Sequence, residues 1–200
     1  MKKYLLYGMA VALLSLTGWL SSSESGGKLF VRLPSSHTGI TFANRLTETD
    51  SINALTFEYV YNGAGVGVGD FNNDGLADVY FAGNQVSSRL YLNQGSFRFN
   101  DVTKPSGTGT SGWCTGVSVA DVNQDGWPDI YVCMAGPTKD TTLRANKLFI
   151  NNGPTPDDIP TFTERAAEYG LNDMGYSTQA AFFDYDQDGD LDCYLLTNAL

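Results

Sequence analysis

One short acidic pattern occurs three times in this chain, and it constrains the fold more than any other feature of the sequence. The segments DFNNDGLAD (70–78), DVNQDGWPD (121–129) and DYDQDGDLD (184–192) all fit the template D-x-[ND]-x-D-G-x-x-D. They begin about fifty to sixty residues apart, and self-similarity at such a period is typical of arrays of supersecondary units. The sequence therefore predicts a repeat protein in which each unit carries one acidic loop.

The residues around the loops repeat as well. The loops are preceded by AGVGVGD, TGVSVAD and TQAAFFD and followed by VYFAGN, IYVCMA and CYLLTN. Further on, SRLYLNQG (88–95) pairs with NKLFINNG (146–153), and FRFNDVT (97–103) resembles TFTERAA (161–167). Each unit is therefore predicted to contain a strand, the acidic loop, two more strands, a turn and a last strand.

The first strand of each unit is built from small residues. VGVGD (66–70) and VSVAD (117–121) alternate with the period of two that is typical of strands. Gly65, Gly67 and Gly69 leave one face nearly bare, which suits a strand that neighbouring backbones approach closely. Four short strands per unit fit a propeller blade with this strand innermost. We predict an all-β fold of β-propeller blades, about three, forming an incomplete propeller; only residues 164–171 are predicted to form a helical turn.

The loops offer the oxygen ligands that a hard cation needs. Ca²⁺ takes about six to eight oxygens from carboxylates, amides and backbone carbonyls. Template positions 1, 3, 5 and 9 supply side-chain oxygens, position 7 supplies its carbonyl oxygen, and the glycine at position 6 permits the sharp turn. We predict one Ca²⁺ per loop, up to three, with these ligands: Asp70, Asn72, Asp74, Leu76 and Asp78; Asp121, Asn123, Asp125, Trp127 and Asp129; Asp184, Asp186, Asp188, Asp190 and Asp192.

Three other interpretations of the loops can be compared with calcium binding. An EF-hand needs a bidentate glutamate at position 12, where this chain has Phe81, Val132 and Leu195. A single copy of the pattern could be an acidic turn, but three copies that keep four oxygen positions argue against that. Carboxylates that bind calcium stay ionised and make poor general acids, which disfavours a catalytic carboxylate pair.

Composition narrows the function further. The formal net charge is −10, and half of the 22 acidic residues lie in the three loops, so the acidity is local. No basic stripe is present to neutralise phosphates, which argues against nucleic acid as a partner. His37 is the only histidine and lies outside the repeats. With no catalytic triad and no phosphate-binding glycine loop, we predict that the protein is not an enzyme and has no catalytic residues.

The N-terminus is predicted to be a targeting segment. A basic start is followed by an apolar stretch at residues 4–20, the layout of a secretory signal. Residues 1–20 are therefore a signal peptide or a membrane anchor, and an anchor is the only membrane association predicted. LTGW (16–19) resembles a lipoprotein cleavage box, but Trp19 replaces the lipid-bearing cysteine. Residues 21–36 form a Ser/Gly-rich tether and entry segment, and residues 37–200 are the repeat region.

The three cysteines are an odd number for an exported chain. In the repeat alignment Cys133 takes the place of Ala82, and Cys193 takes that of Val79. We therefore favour small apolar strand residues, although a bridge between Cys114 and Cys133 is open if their strands are neighbours.

These motifs resemble the FG-GAP/VCBS-repeat family, whose calcium-loop blades also build the propeller of integrin α subunits. Residues 65–103 are especially similar to exported bacterial proteins that combine such repeats with an ASPIC/UnbV domain and are related to cartilage acidic protein. The resemblance covers roughly residues 38–200 and implies a β-propeller, Ca²⁺ in each loop, and binding of proteins or glycans outside the cell or at its surface.

Two functions are predicted on this basis. The first is an exported calcium-binding module for an unknown protein or glycan ligand, located outside the cell, in the periplasm or at the envelope surface. The alternative is the non-catalytic propeller portion of a carbohydrate-active enzyme. The chain is also predicted to be an N-terminal fragment, because closed propellers have about four to eight blades. That prediction includes an exposed edge near residues 193–198 and a strand at residues 37–44.

Overall fold

The structure, a computed structural model, describes residues 29–198. The described residues from Pro34 onward belong to one compact unit. The predicted signal or anchor at residues 1–20 and the first part of the tether, residues 21–28, lie outside the described residues. Among residues 29–198, no helix has the length and apolar character needed to cross a bilayer.

The first repeat forms a four-stranded antiparallel sheet in the order of the sequence. Its strands are β1 (Val66–Gly69), β2 (Asp78–Phe81), β3 (Arg89–Asn93) and β4 (Phe99–Asp101). The first acidic loop connects β1 to β2, and Gly69 pairs with Asp78 where the loop leaves and re-enters the sheet. The turn between β3 and β4 closes as a hairpin, with Gln94 N donating to Arg98 O at 2.7 Å.

The second repeat has the same topology. Its strands are β5 (Trp113–Ala120), β6 (Asp129–Ala135), β7 (Lys147–Pro154) and β8 (Pro160–Glu164). The third repeat contributes an antiparallel pair, β9 (Ser177–Phe183) and β10 (Asp192–Thr197). Three short helical turns are described: α1 (Ser35–Thr38), α2 (Thr103–Ser106) and a 3₁₀ turn (Thr141–Arg144). The four-strand unit predicted from the repeats is confirmed for both complete sheets.

The first strands of the three repeats lie side by side, β1 against β5 and β5 against β9. Small residues make this approach feasible. A Cβ at Gly65 would lie 2.5 Å from the backbone nitrogen of Val117, and one at Gly116 would lie 2.3 Å from the carbonyl oxygen of Thr178. No side chain fits in that space, which confirms the prediction that neighbouring backbones crowd the bare face of this strand.

Two apolar clusters hold the repeats together. The first combines residues of the first two sheets: Phe71, Tyr80, Ala82, Leu90, Leu92, Val102, Cys114, Val117, Ile130, Val132, Met134 and Phe149. The second joins the second sheet to β9: Tyr131, Cys133, Leu148, Ile150, Ala166 and Ala180. Each cluster buries the face that one sheet presents to the next, so burial of apolar area stabilises the stacking of repeats.

The predicted strand at residues 37–44 is wrong. The segment begins with the short helix α1, which ends at Gly39 in the left-handed region at a φ of 76°. It then crosses the side chains of the first sheet without extending it. Phe42 stacks on Phe81 with ring centroids 5.2 Å apart, and Thr41 N donates to the Tyr91 hydroxyl. Contacts with side chains of the first sheet hold this segment, whereas a strand would have to pair with the backbone of an edge strand.

Two other local predictions, a helical turn within residues 164–171 and free cysteines, agree with the structure. Residues 166–170 form a turn, in which Tyr169 N donates to Arg165 O as in one turn of helix. All three cysteines are free, with Cys114 and Cys133 buried. Among the described residues, β10 pairs with β9 alone, and the side chains of Tyr194 and Leu196 are exposed.

Candidate metal centre

The three acidic loops share one backbone conformation. Positions 4 and 6 of each loop lie in the left-handed region: Asn73 and Gly75, Gln124 and Gly126, Gln187 and Gly189. Glycine adopts this region without strain, and asparagine adopts it more readily than most other residues. The template predicted the turn role of the glycines but not that of position 4, although an amide residue stands there in all three loops.

Position 1 organises the turn through its carboxylate. Asp70 accepts from the backbone N–H groups of Asp74 and Gly75 at 3.0 and 2.8 Å. Asp121 makes the same two bonds at 3.0 and 2.8 Å, and Asp184 accepts from Gly189 at 3.2 Å. These charge-assisted bonds wrap the backbone around the carboxylate.

Position 5 works in the same way on the next residues. The carboxylates of Asp74, Asp125 and Asp188 each accept from the backbone N–H of position 7, at 2.8, 2.9 and 3.1 Å. Each of these carboxylates uses Oδ1 for that bond. Position 7 therefore contributes its backbone to the loop, whatever its side chain is. In the second loop the Trp127 ring lies close to Gly153, where a Cβ would come within 3.3 Å of it.

Position 9 closes the loop at the start of the second strand. Asp78 accepts from Phe71 N at 2.9 Å and from Asn93 N at 2.8 Å, and its side chain is fully buried. Burial raises the pKa of Asp78 to about 6 against the opposing effect of these two hydrogen bonds. The structure thus assigns this carboxylate a loop-closing role that the ligand template did not predict; its ligand role stays a prediction.

The other two loops close in related ways. Asp129 accepts from Val122 N at 2.9 Å and from Asn151 N at 2.8 Å, and burial raises its pKa to about 6 as well. Asp192 accepts from Tyr185 N at 2.9 Å and is exposed. The asparagines behind the closing carboxylates, Asn93 and Asn151, were missed, although they recur in LYLNQG and LFINNG.

Position 3 differs most between the loops. Asn72 is 5% exposed, and its Oδ1 is buried without a hydrogen-bond partner. Its Nδ2 donates to Asp74 Oδ2 at 3.1 Å and to Asp158 Oδ2 at 3.0 Å. Asn123 is exposed, and its Oδ1 accepts from Asp125 N at 3.2 Å. The first loop therefore contains a buried amide oxygen that the protein itself leaves unsatisfied.

The third loop gathers charge instead. One carboxylate oxygen from each of Asp184, Asp186 and Asp188 lies within 4.8 Å of the others, and all three residues are exposed. Asp190 is outside this group. The negative charge of Asp188 is the main factor that raises the pKa of Asp190, followed by desolvation. Three carboxylates at this spacing repel one another unless a cation or protons neutralise them.

Side-chain amides link successive loops. Asn73 Nδ2 donates to the Gly126 carbonyl oxygen at 3.0 Å, and Gln124 Nε2 donates to the Gly189 carbonyl oxygen at 2.6 Å. In both cases position 4 of one loop bonds to position 6 of the next. The predicted sites therefore lie along one edge of the sheets, and each is linked to the next by a hydrogen bond from a side-chain amide to a backbone carbonyl oxygen.

Comparison with protein families identifies the repeats. A model described as an FG-GAP-like repeat matches residues 70–132, which hold the first two acidic loops and the strands between them. No curated protein matched the chain significantly. The narrower resemblance to proteins with an ASPIC/UnbV domain stays a prediction. The two four-stranded sheets show that this part of the chain is built from repeated units, as the match indicates. Residues 70–132 belong to the FG-GAP-like repeat family.

Proposed function

We propose that this protein is an exported module of β-propeller-like repeats that binds calcium in its acidic loops and a protein or glycan elsewhere on its surface. It acts by binding and not by catalysis. The observation that carries the calcium part is the buried, unpartnered Oδ1 of Asn72 in the first loop.

A buried amide oxygen without a partner costs about 1–3 kcal/mol, so an arrangement that keeps one needs a compensating ligand. Exchanging the oxygen and nitrogen of Asn72 does not help, because the oxygen would then face the carboxylates of Asp74 and Asp158. A cation bound at this oxygen would satisfy it, and the carboxylates of Asp70 and Asp74 in the same loop supply negative charge that attracts a cation. The donor set is all oxygen, which favours a hard cation such as Ca²⁺ over zinc or copper.

The third loop supports the same proposal from electrostatics. The cluster of Asp184, Asp186 and Asp188 brings together three oxygens of the kind that Ca²⁺ binds. The proposed ligands are positions 1, 3, 5 and 9 through side chains and position 7 through its carbonyl oxygen. Outside the cell calcium is abundant, so modest dissociation constants of about 10⁻⁴–10⁻³ M, typical of extracellular modules, are sufficient.

A cavity at the opposite end of the strands is the candidate site for the ligand. It has a volume of about 210 Å³ and lies where β5 and β9 begin. Its walls include Phe57, Tyr59, Trp113 and Tyr176 together with the side chains of Asn62 and Asn198. Tyr59 and Tyr176 are partly exposed and lie beside these asparagines, a combination that can stack on and hydrogen-bond to a sugar ring. The same cavity would serve the alternative function, the propeller portion of a carbohydrate-active enzyme.

Calorimetric titration with Ca²⁺ tests the metal part. We expect three sites in the wild type and none in the triple variant D74A/D125A/D188A. A wild-type protein that releases no binding heat and melts identically in EDTA and in calcium would refute the proposal.

A screen against polysaccharides, in which binding and new reducing ends are read together, tests the ligand part. Binding without new reducing ends is expected for a module that has no chemistry of its own. New reducing ends from the isolated protein would contradict the assignment as a non-enzyme.

A further inference from the structure

A residue of the second sheet reaches into the first acidic loop. Asp158 lies in the turn between β7 and β8, where Asp158 N donates to Thr155 O. Its backbone is in the left-handed region at a φ of 62°. Its Oδ2 accepts from Asn72 Nδ2 at 3.0 Å, and its carbonyl oxygen lies 3.5 Å from the same nitrogen. The contact joins residues that are 86 positions apart in the chain.

Two further contacts hold the second sheet against this loop. The Phe71 ring packs edge-on against Phe162 of β8, with centroids 6.0 Å apart. Asn151 Nδ2 donates to the Phe71 carbonyl oxygen at 2.9 Å. Phe71 is fully buried, so these contacts fix the position of the second sheet, and with it Asp158, relative to the first loop.

The second loop shows what the same amide does without such a neighbour. Asn123 donates to Asp125 Oδ2 at 2.8 Å, as Asn72 does to Asp74, but no second carboxylate reaches its nitrogen among the described residues. Its Oδ1 turns onto the backbone and accepts from Asp125 N at 3.2 Å. An amide oxygen has two lone pairs, so this hydrogen bond leaves one of them for a metal, whereas Asn72 Oδ1 keeps both.

We propose that Asp158 is a positioning residue for the calcium site of the first loop, an inference that rests on the calcium binding proposed above. It holds the nitrogen of Asn72 and so keeps the amide oxygen free for the cation. Partners that orient a ligand in this way are typical of metal sites, and their loss costs about 10–100-fold in affinity. The first site is therefore complete only when the second sheet is packed against the first.

The test uses the background D125A/D188A, in which the first loop is the only predicted site. Asp158→Gly removes the carboxylate and suits the left-handed backbone, while Asp158→Asn keeps an acceptor oxygen and removes the charge. Asp157→Asn is the matched control, because it removes the same charge from the adjacent exposed residue. Ca²⁺ is titrated into each variant by calorimetry, and melting in EDTA confirms that each variant folds.

We expect Asp158→Gly to raise the dissociation constant of the first loop about tenfold. Asp158→Asn and Asp157→Asn stay within about threefold of the background, since a single exposed charge contributes little through a screened field. In an Asn72→Ala background, Asp158→Gly changes the constant no further, because its effect passes through Asn72. A turn that was merely damaged would still lower the affinity there.

Three results would overturn the positioning role of Asp158 without contradicting the proposal that the loops bind calcium. The first is an unchanged constant in Asp158→Gly, the second is an equal loss in Asp158→Asn and Asp158→Gly, and the third is additive effects of Asp158→Gly and Asn72→Ala. A wild-type protein that binds no Ca²⁺ in any loop would instead refute the proposed function itself.

Discussion

In the first loop the closing carboxylate of Asp78 is fully buried and accepts two backbone N–H groups, whereas in the third loop Asp192 is exposed and accepts one. The burial of the residue at position 2 differs in the same direction. Phe71 is fully buried, and Tyr185 is 77% exposed. Both loops fit one template, yet the first is packed against the second sheet, whereas within residues 29–198 no further sheet packs against the third.

This comparison separates the loop conformation, which the nine-residue template determines, from the burial of the closing carboxylate, which the neighbouring sheet determines. Both loops use the position 1 carboxylate to cap position 6, as Asp70 does with Gly75 and Asp184 with Gly189. Desolvation, which raises the pKa of Asp78 to about 6, comes from packing. Local sequence thus builds the loop, and the adjacent repeat decides how far it is preorganised for a cation.

The largest expected effect is that of calcium on thermal stability. With free calcium tenfold above the dissociation constant, each site adds about 1.4 kcal/mol by mass action. Three such sites raise the melting temperature by on the order of 10 °C relative to EDTA. At lower calcium concentrations the third loop should gain most, because the five aspartates of residues 184–192 repel one another most strongly when no cation is bound.

Hydrogen exchange with and without calcium resolves that effect by loop. Residues 184–192 should show the greatest increase in protection, and residues 70–78 the smallest. Magnesium at the same ionic strength is the control for general screening. Equal increases in the two loops would show that neither packing nor loop charge determines how strongly a loop responds to calcium.

A second prediction concerns the closing carboxylates in metal-free protein. Asp78→Ala leaves two backbone N–H groups without an acceptor in a packed site and should lower the free energy of unfolding by about 2–4 kcal/mol. Asp192→Ala acts at an exposed position and should cost under about 1 kcal/mol. Urea unfolding in EDTA measures both, and similar losses would show that packing does not distinguish the loops.

The repeats themselves were predictable because their signals are local. Alternating small and apolar residues, the acidic template and the glycine at position 6 predicted the strands, the loops and the crowded inner strand. Position 9 was predicted only as a ligand, because its bonds to Asn93 and Asn151 depend on where the third strand of each sheet ends. The asparagines recur in the sequence, so an alignment of the repeats could have found them.

Contacts between repeats were not predictable in the same way. Asp158 has no counterpart in the template and reaches Asn72 only after two sheets have packed. The segment 37–44 was predicted to be a strand that awaits a pairing partner. In the structure it is held by Phe42 on Phe81, a contact made by side chains after the sheet has formed. Such tertiary contacts override local propensity.

A third prediction compares two aspartates of the third loop. Asp188 belongs to the carboxylate cluster, and Asp190 lies outside it. Asp188→Asn should therefore weaken calcium binding at this loop about tenfold or more, in the range typical of lost metal-site groups. Asp190→Asn should change it by less than about threefold, since an exposed charge acts only through a screened field. Both are measured by calorimetry in the background D74A/D125A, and equal losses would contradict the ligand assignment.

The smallest expected effect tests the amide links between loops. Gln124 donates to the Gly189 carbonyl oxygen at 2.6 Å, while Gln187 stands at the same position of the third loop, where no link to a further loop is described. Both have a left-handed backbone, with φ of 57° and 63°, so alanine introduces the same strain at each. The difference between Gln124→Ala and Gln187→Ala therefore isolates the hydrogen bond, which at an exposed site contributes about 0.5 kcal/mol. Urea unfolding of the two variants, in EDTA and in calcium, measures that difference. Equal free energies of unfolding in the two variants would mean that the hydrogen bond between the loops contributes nothing to stability.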